Sequence, residues 1–129
     1  MIAPPHSPGF VHLRLHSEYS ISDGVTRIDE AVARAAADGQ PALALTDLAN
    51  LFGMVKFYTG ARGKGVKPIV GCDVWIGEEV GSERQDAAAR LLLLARNRAG
   101  YLRLCELLSA AYLGPRGRGG NHQIGRAHV

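Results

Sequence analysis

The feature that most constrains the fold is an alternation of short apolar segments typical of strands with longer amphipathic segments typical of helices. Strand patterns occupy residues 10–15, 42–46, 67–76 and 89–95, and helix patterns occupy residues 26–38, 51–62 and 97–113. Strands joined by helices require crossover connections and therefore lie parallel to one another. The order β-α-β-α-β-β-α predicts an α/β fold with a largely parallel sheet and flanking helices. These strands are too few to close a β/α barrel.

Residue types at the ends of the predicted helices indicate where each helix begins and ends. Thr26 and Asp29 have the spacing of a capping box, and Asp38 followed by Gly39 is a typical helix stop. The third helix is predicted to carry its apolar residues on one side, namely Leu102, Cys105, Leu108 and Tyr112.

Charge is unevenly distributed along the 129 residues. The net charge is +3, but residues 1–113 contain 12 Lys+Arg and 12 Asp+Glu, so the excess comes from Arg116, Arg118 and Arg126. No basic patch for nucleic acid is therefore inferred for the body of the chain. A hydrophobic content of 47% with 21% charged residues is typical of a globular domain and argues against a disordered or fibrous protein.

The cysteines and apolar runs indicate the compartment. Cys72 and Cys105 have no partner motif, so we interpret them as buried reduced thiols rather than a disulfide or zinc ligands. The start of the chain has no apolar leader segment, and the longest aliphatic run, residues 91–95, is too short to cross a bilayer. We expect a cytoplasmic protein that does not contact a membrane.

Both ends differ in composition from the middle. We expect residues 1–9 to be a disordered lead, residues 10–113 to form the domain, and the Gly- and Arg-rich residues 114–129 to be a flexible tail. The last six residues, IGRAHV, resemble a translated sequencing adapter, which favours a partly non-native tail and a native sequence that is uncertain after about residue 120. A natural flexible tail is the alternative.

Candidate site residues follow the predicted strands, where ligands bind in parallel α/β folds. They are His16, Asp23, Asp47 and Asp73. One imidazole and three carboxylates could hold Mg²⁺ or Mn²⁺. Their positions also suit structural roles, because aspartate before glycine is common in turns and aspartate before a helix is a common cap. From the pattern alone, the structural roles are favoured.

Four blocks in order resemble one known family. They are FVHLRLHSEYSISDG at 10–24, PALALTDLANLFGMVKFY at 41–58, GVKPIVGCD at 65–73 and LLLLARNRAGYLRLCELLSAAYL at 91–113. Together they are similar to the polymerase-and-histidinol-phosphatase (PHP) domain at the N-terminus of the alpha subunits of bacterial replicative (C-family) DNA polymerase III. A translesion relative that shares this domain is a less favoured match.

The resemblance implies the first half of a PHP-type β/α barrel, a fragment of a DNA-directed DNA polymerase whose catalytic core is absent here. That core would use Mg²⁺, whereas no cofactor is expected in this fragment. The implied partners are the epsilon proofreading exonuclease subunit and the rest of the DNA polymerase III holoenzyme. DNA would be contacted through the parent polymerase.

The sequence departs from metal-binding members of the family at three ligand positions. Those members carry His-x-His in the first block, Thr-Asp-His in the second and a further histidine before the LLLLA-like strand, whereas this chain has Arg14, Leu48 and Arg90. Arginine stays protonated and leucine has no lone pair, so neither can ligate a metal. A guanidinium there could instead pair with Asp23 or Asp73.

We therefore predict a degenerate metal site in a structural and subunit-docking domain with no catalytic residues of its own. The alternative is a metal-dependent phosphoesterase or 3'-5' exonuclease that uses the residual His16, Asp23 and Asp73.

Overall fold

The computed structural model describes residues 9–77, 89–114 and 123–125. The helices are a 3-10 turn at Glu18–Ser20, α1 at Ile28–Ala37, α2 at Met54–Gly63 and α3 at Arg98–Leu113. The strands are β1 at Ala42–Leu45, β2 at Lys67–Gly77, β3 at Ala89–Leu94 and β4 at Gln123–Gly125. Within the described ranges, no helix has the length and apolar character needed to cross a membrane.

Strand β2 is the centre of the sheet. It pairs in parallel with β1, where Ala44 lies opposite Ile69, and antiparallel with β3. It also pairs in parallel with β4. Because β3 occupies one edge of β2, β1 and β4 lie one after the other along the opposite edge. The predicted mixed α/β class is confirmed.

The antiparallel β3 departs from the largely parallel sheet that was predicted. Only residues 78–88 connect it to β2, and parallel strands need a crossover of about a dozen residues or more. The prediction that β3 is buried was also wrong, because its six residues are exposed or half-buried.

The predicted first strand, residues 10–15, forms a single bridge rather than a ladder. His12 pairs with Leu43, and the next backbone contact is the Thr46 N–H donating to the Leu15 carbonyl at 2.9 Å. The Thr46 hydroxyl accepts the Leu15 N–H at 2.8 Å. A side chain thus takes the donor that a continuing ladder would use, so the segment lies along β1 without becoming a strand.

The helix boundaries agree with the sequence at one end and differ at the other. Helix α1 stops at the predicted Asp38 and Gly39, where Gly39 has a φ of 71°. The capping box was wrong: Arg27 is the N-cap, without a side-chain hydrogen bond, and Thr26 pairs with Ser17 instead. Helix α2 begins three residues later than predicted.

Helix α3 begins as predicted but presents a different face. The side chain of Asn97 accepts the Gly100 N–H at 2.9 Å. The buried residues of α3 are Leu104, Leu108 and Ala111, whereas Leu102 is 50% exposed. The predicted face was therefore rotated relative to the observed one. Strand β4 also differs from expectation, since it lies in a region where no regular element was predicted.

The core consists of two clusters of buried hydrophobic residues. The first lies between α1, α2 and β1 and has Phe57 and Leu45 fully buried at its centre. The second joins Cys72 and Val74 of β2 to the buried face of α3. The end of β1 and the middle of β2 therefore pack against helices. This packing fixes the position of Asp47, which follows β1, and of Asp73, which lies on β2.

Replacing Phe57 with alanine should remove the largest buried side chain of the first cluster. The cavity left behind predicts a loss of about 3–5 kcal/mol in the free energy of unfolding, measured by urea denaturation. Val55→Ala on the same helix is the matched control, because Val55 is 81% exposed. A Phe57→Ala variant as stable as the control would contradict the assignment of this core.

Candidate functional site

Asp47 lies just beyond the end of β1 and holds the 3-10 turn in place. Its carboxylate accepts the Ser17 N–H at 2.6 Å, the Ser17 hydroxyl at 2.9 Å and the Ser20 hydroxyl at 2.8 Å. The side chain is buried, so these bonds replace the water that an ionised carboxylate would otherwise require. Asp47 is thus a structural anchor, and both of its oxygens are occupied.

Asp73 lies on β2, fully buried, and its side chain contacts two basic residues, Arg14 and His16. Arg14 donates through Nε to Oδ2 at 2.9 Å and through Nη2 to Oδ1 at 3.0 Å. His16 Nε2 lies 2.5 Å from the same Oδ2. A bidentate guanidinium contact of this kind fixes the orientation of the carboxylate.

His16 bridges two carboxylates. Its Nδ1 is 3.1 Å from Oδ2 of Asp23, and its Nε2 contacts Asp73. Each ring nitrogen of His16 therefore faces one carboxylate oxygen, which places the ring between Asp23 and Asp73.

Arg90 completes the chain of charges from β3. Its Nη1 donates to Oδ2 of Asp23 at 3.0 Å, and its guanidinium lies 4.6 Å from the centre of the Trp75 ring. The register of β2 and β3 places Trp75 and Arg90 opposite each other, which supports the stacking. The hydrogen bond from Arg90 is the main reason that the pKa of Asp23 is lowered, with a smaller contribution from His16.

The arrangement forms one linear network, Arg14–Asp73–His16–Asp23–Arg90, in which basic side chains and carboxylates alternate. Arg14 pairs with Asp73 and Arg90 pairs with Asp23, which agrees with the ion pairs suggested by the sequence. Asp47 stands apart and joins the network only through the backbone, where its carbonyl accepts the Asp73 N–H at 3.0 Å.

The residues present do not fit the metal cluster that the family pattern implies. The oxygens of Asp73 and Asp47 already accept hydrogen bonds from arginine, histidine and serine, and Leu48 offers no lone pair. Two guanidinium groups would also repel a divalent cation. Among residues 9–77 and 89–114, no group of three or more His, Cys, Asp or Glu is arranged to hold a metal ion.

Sequence reasoning missed three contributors to this site. Ser17 and Ser20 were not identified, because their partner Asp47 is about 30 positions away and no local spacing links them. Gly24 was seen only as a turn residue, but a Cβ there would lie 2.3 Å from the Ser17 carbonyl oxygen. Glycine therefore permits the close return of the chain that brings Asp23 to His16.

Cys72 packs beneath the network. Its Sγ donates to the Asp47 carbonyl at 3.3 Å, and burial raises the pKa of its thiol to about 12. The prediction of a buried reduced thiol is confirmed for Cys72, whereas Cys105 is free but only half-buried.

With this geometry established, comparison with known proteins gives the class. Residues 12–127 match the PHP domain family, and the chain belongs to it. The family match extends past residue 113 into the segment that contains β4.

Individual relatives narrow the comparison. The DNA polymerase III alpha subunit of Neisseria meningitidis is 50% identical over 107 residues, which is 83% of this chain and 9% of that protein. The same subunit of Escherichia coli K12 is 48% identical over 105 residues, covering 81% of this chain and 9% of that protein. The chain thus spans about a tenth of the length of these relatives.

A solved structure supports the fold. An amidohydrolase from Chromobacterium violaceum superposes with a TM-score of 0.58 and 26% sequence identity, covering 78% of this chain and 32% of that one. The match covers only part of a larger structure, in agreement with the predicted partial barrel.

Asp47→Ala should lower the free energy of unfolding by about 3–5 kcal/mol, because it leaves buried serine donors without an acceptor. Urea denaturation followed by Trp75 fluorescence measures the change. The control is Asp29→Ala, whose side chain is 75% exposed and 3.7 Å from Lys56, and which should cost less than about 1 kcal/mol. Equal losses in the two variants would show that Asp47 is not an anchor.

The lowered pKa of Asp23 predicts a defined dependence on pH. Ionised Asp23 stabilises the folded chain fully above its unfolded pKa of about 3.9, and this contribution disappears as pH falls through the lower folded value. The stability difference between wild type and Asp23→Asn should therefore be constant near neutrality and shrink on acidification. Urea denaturation at a series of pH values measures it, and a difference that persists unchanged in strong acid would contradict the contact with Arg90.

Proposed function

We propose that the chain is the N-terminal PHP domain of a bacterial replicative DNA polymerase III alpha subunit, and that it acts as a structural and subunit-docking domain. Identities of 50% and 48% to two such subunits over more than 80% of the chain support this parentage. In this proposal residues 10–113 form the domain, residues 1–9 precede it, and residues 114–129 are a tail that is partly non-native.

The observation that carries the structural role is the occupation of Asp73. A hydrolytic metal needs carboxylate and imidazole lone pairs to fix its geometry and to acidify bound water. Here both oxygens of Asp73 receive Arg14, and one also receives His16. The residues that could ligate a metal instead neutralise one another.

This network has a mechanical consequence for the domain. Arg14 is separated from Asp73 by 59 positions, and Arg90 is separated from Asp23 by 67. The charges therefore tie the segment that precedes α1 to both β2 and β3. A buried carboxylate is costly without a partner, so loss of Arg14, whose partner Asp73 is fully buried, should loosen this segment.

The proposal places catalysis outside this chain. Nucleotidyl transfer and its Mg²⁺ would belong to the remainder of the parent polymerase, which would also contact DNA in the cytoplasm. The balance of 12 basic and 12 acidic residues over residues 1–113 supports a domain that does not bind DNA by charge. The proposed partners are the epsilon proofreading exonuclease subunit and the other subunits of the holoenzyme, and co-elution of the chain with purified epsilon on size exclusion would test the first of them.

Metal analysis and a nuclease assay test the loss of hydrolytic function. The chain is dialysed against Mn²⁺ or Zn²⁺, washed, and analysed for bound metal and for cleavage of a labelled single-stranded oligonucleotide. We expect far less than one equivalent of metal and no cleavage, because the candidate ligands are already paired.

His16→Ala and His12→Ala form the matched pair for this experiment. His12 is exposed and its ring contacts only Phe10 among the described aromatic groups. Stoichiometric metal with cleavage that is lost in His16→Ala but kept in His12→Ala would overturn the structural role. That outcome would establish the metal-dependent phosphoesterase or exonuclease alternative.

A further inference from the structure

A second concave region lies away from the charged network, where β2 begins. It is a groove of about 560 Å³ between α2, the first residues of β2 and the start of α3. Its apolar lining includes Met54, Pro68, Ile69 and Val70. Asp73 lies further along β2 and does not line it, so the groove is separate from the site described above.

Three apolar or aromatic side chains that line this groove remain open to solvent. Val55 is 81% exposed, Tyr58 is 44% exposed and Tyr101 is 37% exposed. The first two come from α2 and the third from α3. Exposed apolar groups gathered in one concave surface are typical of a place where another chain binds.

The groove is also consistently positive. Lys67, Arg96 and Arg98 line it, and no carboxylate of residues 9–77 or 89–114 does. In the described part of the chain none of these three cations forms an ion pair, although seven other ion pairs are present there. Their charge is therefore available to a binding partner.

A neighbouring depression of about 460 Å³ extends the same surface. It shares Tyr58, Lys67 and Pro68 with the groove and adds Arg62. The Arg62 guanidinium lies 5.6 Å from the Tyr58 ring centre and donates to its hydroxyl at 3.2 Å, which holds the ring between the two depressions. Among the residues that the structure describes, no carboxylate lines this second part either.

We propose that this continuous groove binds an acidic peptide segment of another protein, with an apolar or aromatic side chain inserted between Val55, Tyr58 and Tyr101. The four cations would contact carboxylates on either side of that anchor. Such complementarity steers association and fixes the register of the bound segment. The inference does not depend on the proposed function.

A peptide fits these observations better than a nucleic acid does. Half of the twelve lining residues are aliphatic and two are aromatic, whereas single-stranded nucleic acid binds on stacked aromatic platforms along an extended basic track.

Peptide display on the 129-residue chain tests the proposal. A library of random peptides is selected on wild type, with counter-selection on the double variant Arg96→Glu/Arg98→Glu, and circular dichroism confirms that each variant is folded. We expect enriched peptides to combine Asp or Glu with an apolar anchor. The consensus peptide should bind the double variant about tenfold more weakly or worse, by fluorescence anisotropy.

Two further variants sharpen this comparison. Arg103→Glu is the matched control, because Arg103 is an exposed cation that lies on α3 with Arg98 but outside the groove. The affinity of this variant for the consensus peptide should stay within about twofold of wild type. Val55→Asp should weaken binding without altering any cation. Weakening by Val55→Asp confirms the apolar anchor independently of the charge reversal.

Four outcomes would overturn the proposal. Enrichment of neutral or basic peptides would remove the charge argument, and binding of an oligothymidylate that depends on Arg96 and Arg98 would assign the groove to nucleic acid. A dimer that dissociates in the double variant would assign it to a second copy. Specific binding of a peptide from the rest of the Escherichia coli relative would assign it to a later segment of the same polypeptide.

Discussion

The carboxylate of Asp47 is the contact on which the rest of the site depends. It lies at the end of β1, inside the packed region, and accepts three hydrogen bonds from Ser17 and Ser20. Its own carbonyl accepts the backbone N–H of Asp73. Asp47 thus joins the turn that follows His16 to the strand that carries Asp73. The contact between the side chains of His16 and Asp73 requires that the turn and the strand both be held in place.

Charge neutralisation explains why the remaining ligand-type residues stay together. Asp73 on β2 and Asp23 in the bend before α1 both contact the one imidazole of His16, and two carboxylates placed so close would repel each other without neighbouring basic groups. In this chain two arginines supply compensating positive charge, one beside each carboxylate, and His16 lies between the two carboxylates. The outer arginines are partly exposed while Asp73 is fully buried, so the network runs from solvent into the core and out again.

The predictable parts of this fold are those encoded locally. The apolar run of β1 and the stop at Gly39 depend on neighbouring residues, and both were visible in the sequence. The arginine pairing could be anticipated only because the family pattern shows where metal ligands would stand. The serine contacts to Asp47, the bridge between Thr26 and Ser17, and the antiparallel β3 depend on partners distant in sequence. The face of α3 was misjudged because periodicity alone does not say which side meets the sheet.

The contact between Arg14 and Asp73 also limits the evolutionary routes open to this site. Metal binding at this site would require at least Arg14, Leu48 and Arg90 to change, and no single step yields a complete ligand set. Loss of Arg14 alone would leave a fully buried carboxylate with one cation fewer, and breaking such a pair is destabilising. The intermediates would be less stable without gaining a metal. The ion pair therefore keeps the site in its present form, because a single substitution at Arg14 lowers stability without creating a metal site.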